Sequence, residues 1–92
     1  MTQKFILDEN NNVVEATLYE WANYFETRKT LFKDEIKGHT VSTVFIGIDG
    51  QIFETMVFTD DEHSKWQDHQ VRYDTYDAAK IGHYDICKEL NL

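Results

Sequence analysis

Apolar residues recur at helical spacing in two stretches of this chain and fall in strand-like runs elsewhere. Lys4 to Leu7 reads as a short strand. Asp8-Glu9-Asn10-Asn11-Asn12 reads as a turn, because Asn tolerates left-handed backbone and caps its own neighbours. Val13-Val14 returns as a second short strand. Leu18, Trp21, Ala22 and Phe25 then fall at i, i+3, i+4 and i+7, which predicts one apolar helical stripe. Thr17 is its N-cap, Glu20 completes a capping box, and Arg28 and Lys29 suit the helix C-terminus. Thr30 to Ile36 is a strand closed by a tight turn at Lys37-Gly38. Thr40 to Phe58 holds two β-rich runs flanking Asp49-Gly50, a pair that suits a type I′ hairpin turn. Asp60 to Gln70 reads as a polar, mobile loop. A second helix is predicted from Tyr76 to Leu90, capped by Thr75 or Asp74. It carries Ala79, His83, Ile86 and Leu90 on one face, with Gly82 and Cys87 beside it.

These elements predict one α+β domain over residues 1–92: an antiparallel meander of three strands with two helices packed on one face. A short N-terminal hairpin would extend the sheet. A two-residue turn at Asp49-Gly50 predicts a register in which Ile48 faces Gln51, Phe45 faces Glu54 and Thr43 faces Met56. Both faces of that hairpin are largely apolar, which fits a second face covered in part by the N-terminal segment or by another subunit in a homodimer. Glu54 is the exception. A carboxylate on an apolar face needs a partner, and Arg72 is the natural one.

Composition narrows the function classes. The chain has 92 residues, no proline, four glycines and a net charge of −8. That charge repels phosphate backbones and argues against direct nucleic-acid binding. An acidic surface that imitates nucleic acid is an alternative. No apolar run has signal-peptide or membrane-span length, so no membrane partner is expected. Cys87 is the single cysteine. It predicts a core thiol in a reducing, intracellular setting.

The run Val41-Ser42-Thr43-Val44-Phe45-Ile46-Gly47-Ile48-Asp49, with Phe53-Glu54-Thr55-Met56-Val57-Phe58, Arg72-Tyr73, Thr75, Ala79 and Gly82-His83, resembles a family of small proteins encoded by tailed bacteriophages and prophages. Leu7-Asp8-Glu9-Asn10, Trp21-Ala22 and Arg28 fit the same pattern, so the resemblance covers most of the chain in order. It implies a phage source and a setting in the host cytoplasm, and it carries no assigned activity. The chain departs from the pattern where Gly50-Gln51 replaces a longer Gly/Pro-rich connector, and where Thr59-Asp60 stands in place of a Gly-Gly pair.

The candidate ligand-binding residues are Glu54, Arg72, His83, Thr43 and Thr55. Glu54, Arg72 and His83 around one pocket could trade a proton and hold an anionic group such as a nucleotide. The structural alternative is a buried ion pair, with His83 anchoring the second helix to Thr43 or Thr55. Gly82 in that helix fits a close approach to the sheet. Asp8 to Asn12 opens like a calcium loop, but Val13 and Tyr19 stand where Gly and Glu are required. Asp60, Asp61, His63 and His69 lack metal-ligand spacing. No catalytic residue, metal or cofactor is expected. The leading expectation is a non-enzymatic binding protein that engages a host factor of defence or takeover. Its contact surface would be the sheet face bearing Phe45, Ile52 and Met56, or the acidic loop near Asp60.

Overall fold

The computed structural model describes residues 2–92. Its elements are β1 (Lys4–Leu7), β2 (Val13–Ala16), α1 (Leu18–Arg28), β3 (Thr30–Ile36), β4 (His39–Ile48), β5 (Gln51–Thr59), β6 (Gln70–Tyr73) and α2 (Tyr76–Leu90). The fold is α+β, but the sheet has six strands, where the hydrophobic pattern predicts a core meander of three. The meander β3-β4-β5 is present. β6 extends it beyond β5, and the β1-β2 hairpin joins β4 through a single pairing of Lys4 with Ile48. β3 and β1 therefore share one edge of β4. Ile46 lies between them on that edge, and its carbonyl accepts the indole N–H of Trp21 at 2.8 Å.

The local signals explain most boundaries. The Asp8 carboxylate accepts the backbone N–H groups of Asn12 and Asn10, and Asn11 takes φ +63° to close the first turn. Those backbone donors, Asn12 first, hold the Asp8 carboxyl below its ordinary range. Thr17 and Glu20 form the expected capping box at the start of α1. Thr75 caps α2, its hydroxyl accepting the N–H of Ala78. The seating of α1 differs from the predicted stripe. Leu18 is 67% exposed and Ala22 is also exposed, while Trp21, Tyr24 and Phe25 face the sheet. Tyr24 packs edge-on against Phe45, and α1 buries no residue completely.

The hairpin reverses at Asp49-Gly50 as expected, with Ile48 opposite Gln51. The turn itself is not type I′. Only Gly50 has positive φ, at +81°, whereas that type needs it at both central residues. The Lys37-Gly38 turn has positive φ at both positions, +51° and +77°. The β4-β5 register then shifts by one residue between Phe45 and Ile48. Gly47 occupies the shift with φ +70°, and a Cβ there would overlap the Phe5 carbonyl and the Phe45 ring. This is a β-bulge at the one residue type that fits it.

The bulge corrects every expected pair beyond the turn. Phe45 faces Phe53, Thr43 faces Thr55, Val44 faces Glu54, and Ser42 faces Met56. Because side chains alternate along a strand, Val41, Thr43, Phe45, Phe53, Thr55 and Val57 share one face. All six are buried. Ala79, His83, Ile86, Cys87 and Leu90 of α2 are buried too, in contact with that face. Phe45, expected on an exposed face, is 2% exposed. Segment 60–69 is also more than a polar loop, since Trp66 is buried in one cluster with Val41, Val57, Ile86 and Leu90. Gly82 lets α2 pass close to the sheet as expected, because a Cβ there would overlap the Tyr73 ring. Among the described residues, no helix is long and apolar enough to cross a membrane.

Candidate functional site

The five candidate residues fall into two groups with the sheet between them. Thr43 on β4 and Thr55 on β5 are directly paired, and both are 0% exposed. Their hydroxyls hydrogen-bond to each other. Thr43 Oγ1 also lies 2.7 Å from His83 Nδ1, and His83 Nε2 lies 2.7 Å from Asp34 Oδ2. A polar chain Thr55–Thr43–His83–Asp34 therefore runs through the interior beneath α2. His83 is fully buried and packs against Phe32 and Tyr84. Asp34 sits at the outer end of this chain, with its side chain 42% exposed.

The order hydroxyl–imidazole–carboxylate matches that of triad hydrolases. Burial gives it a different role here. Thr43 and His83 are both excluded from solvent, so no substrate reaches the hydroxyl. Buried polar groups of this kind are stable only when each is hydrogen-bonded, and a fully connected chain then fixes one packing arrangement. His83 thus holds α2 in a single position on β3 and β4.

Glu54 and Arg72 occupy the opposite face. Phe53 and Thr55 point to the α2 side, so strand alternation turns Glu54 away from it. Arg72 on β6 is its cross-strand neighbour, and Arg72 Nε lies 3.1 Å from Glu54 Oε2. Gln70 Nε2 donates to the same oxygen. The expected Glu54–Arg72 partnership is present. The expected three-residue pocket with His83 is not formed, because neighbouring residues of β5 must point to opposite sides. Arg72 keeps 51% of its side chain exposed, whereas Glu54 is buried beneath it.

The pair has apolar surroundings on this open face. Val44, Ile46 and Met56 are half-buried, and Phe58 is 52% exposed. Beside Phe58, a groove of about 340 Å³ is lined by Thr40, Thr59, Asp60, Gln67 and Asp68. Segment 60–69 forms its outer wall and is pinned by Trp66 and by a 2.7 Å hydrogen bond between Ser64 and His39.

Two partners of the candidate residues escaped the sequence reading. Asp34 shares a strand face with Phe32 and Ile36, so strict alternation along β3 places it beneath α2. Gln70 became relevant only once β6 was a strand. Cys87 is buried as expected. Burial pushes its thiol above the usual range, and the nearby Asp34 carboxylate adds to that rise. No family model, curated protein or solved structure matches the chain.

Proposed function

We propose that this chain is a phage-encoded binding protein that engages a host protein in the infected bacterial cytoplasm. Its contact surface is the open sheet face together with the acidic segment beside it. The carrying observation is the make-up of that face. Half-buried Val44, Ile46 and Met56 and exposed Phe58 share this face with Arg72, which Glu54 already orients from the neighbouring strand. Aromatic residues and arginine set in an apolar field are the usual energetic centres of protein interfaces. Holding Arg72 in place before binding reduces the ordering cost of association.

Charge complementarity selects the kind of partner. The chain carries a net charge of −8, and Asp60 and Asp68 line the groove next to Phe58. A protein with a basic rim around an apolar centre fits this surface and would be steered to it. The phage source rests on the resemblance of the β4-β5 and α2 segments to the phage family.

The test begins with capture from a bacterial lysate and identification of the retained protein. The complex is then rebuilt from the two purified chains. Phe58→Glu and Met56→Glu should each weaken binding by about tenfold or more, and added salt should slow association. Leu18→Glu, on an exposed position of α1, should leave affinity unchanged. Equal loss from all three variants would overturn the surface assignment. A stable dimer that Phe58→Glu dissociates would instead assign the face to a second copy of the chain.

A further inference from the structure

His83 and Cys87 stand four residues apart on α2, the spacing that places two side chains on one helix face. Both are buried. Asp34 of β3 meets them from the sheet. Its Oδ2 lies 2.7 Å from His83 Nε2 and 3.9 Å from Cys87 Sγ. The three potential ligand atoms all lie within 4.8 Å of one another. We infer that Asp34, His83 and Cys87 form a zinc-binding site that ties α2 to β3.

The donor set selects the metal class. One imidazole nitrogen, one thiolate sulfur and one carboxylate oxygen suit a borderline-soft divalent ion, zinc first among them. Calcium and magnesium prefer all-oxygen sites. With a neutral imidazole, thiolate and carboxylate balance the charge of Zn²⁺, so the buried site carries no net charge.

Two further observations support the site. His83 Nδ1 is 2.7 Å from Thr43 Oγ1, which is itself hydrogen-bonded to Thr55. In the metal-bound form an Nδ1–H donates to Thr43 and leaves Nε2 free for the ion, which is how zinc-ligating histidines are oriented by the groups behind them. Asp34 is also 42% exposed, which gives an ion a route in and leaves a fourth position to solvent.

The ligand atoms must adjust in both directions, since the widest separation, within 4.8 Å, has to close by up to about 1.2 Å. Tetrahedral bonds of about 2.0–2.3 Å put ligand atoms roughly 3.3–3.6 Å apart. His83 Nε2 and Asp34 Oδ2, hydrogen-bonded in the metal-free protein, must therefore separate by about 0.6 Å. The half-exposed Asp34 side chain has the freedom to swing by that much. On binding, the Cys87 S–H proton leaves for solvent and sulfur bonds the metal, while the imidazole changes tautomer: Nε2 gives up the proton it donates to Asp34 and takes the metal, and Nδ1 gains one and donates it to Thr43.

Cobalt(II) titration of chelator-treated protein tests the site, because Cys87 is the only thiol and any thiolate-to-cobalt absorption band reports it. The expected result is one cobalt per chain with a near-ultraviolet thiolate band that zinc bleaches. Zinc should also raise the melting temperature. Cys87→Ser should abolish the band, and Asp34→Asn should weaken binding. Thr43→Val should weaken it by about 10–100-fold through the histidine it orients. A His63→Ala/His69→Ala double variant should bind normally. Circular dichroism confirms that each variant is folded. Absence of the band in the unaltered protein overturns the assignment. So does cobalt binding that survives Cys87→Ser and disappears in the His63/His69 variant.

Discussion

The two faces of the β4-β5 hairpin handle polar side chains in opposite ways. On the face beneath α2, Thr43, Thr55 and His83 have no contact with water and are satisfied only by one another and by Asp34. On the open face, Glu54 is satisfied by Arg72 and Gln70, and Arg72 remains half in solvent. The covered set fixes how one helix sits on the sheet. The open set presents an oriented cation to whatever approaches. One strand supplies both, since Glu54 and Thr55 are adjacent residues on opposite sides.

This contrast predicts unequal costs. His83→Ala removes a fully buried ring and leaves the Thr43 hydroxyl without one of its partners. A loss of about 3–5 kcal/mol is expected from the cavity and the unpaired group together. Urea denaturation measures it, and a loss below about 1 kcal/mol would remove the proposed role of the covered chain. Gly47→Ala should follow, at about 2–3 kcal/mol, since its φ is +70° and its Cβ would overlap Phe5 and Phe45. Gly50→Ala is the informative partner. It has φ +81° but open space around it, so only the backbone term of about 1 kcal/mol applies. Equal losses at the two glycines would argue against the bulge.

The open face should respond weakly. Arg72→Ala is expected to cost less than about 1 kcal/mol of stability, because the guanidinium is half exposed and Gln70 still serves Glu54. The same variant should weaken partner binding strongly, which separates a stability role from a recognition role. Smallest of all is Tyr73→Phe. The Tyr73 hydroxyl is buried and finds no hydrogen-bond partner among the described residues. Its removal should be neutral or mildly stabilising in thermal melts.

Much of this contrast was legible in the residues. The Thr17/Glu20 capping box, the Thr75 cap and the α2 face of Ala79, His83, Ile86 and Leu90 all follow from local chemistry and helical period. The reversal at Asp49-Gly50 and the Glu54–Arg72 partnership were equally readable. The register was not. A bulge inserts one residue without altering the alternation of apolar and polar types, so Gly47 reads like any strand glycine. That single residue decided whether Thr43 faces Met56 or Thr55, and hence whether a buried hydroxyl pair exists for His83 to join. β6 is not legible in the sequence, because four residues, Gln70 to Tyr73, are too few to show a period. The α1 stripe is only partly legible, because Leu18 fits a helical repeat by spacing yet stays 67% exposed at the first turn of the helix.

The most direct measurement is a set of nuclear Overhauser contacts among the methyl groups of β4 and β5 in isotopically labelled protein. The bulged register places the Thr43 and Thr55 methyls on one face, next to each other and to the His83 ring, with no contact from His83 to the Glu54 side chain. Thr43 contacts to Met56 in place of Thr55, or His83 contacts to Glu54, would contradict the separation of the two groups on which the account depends.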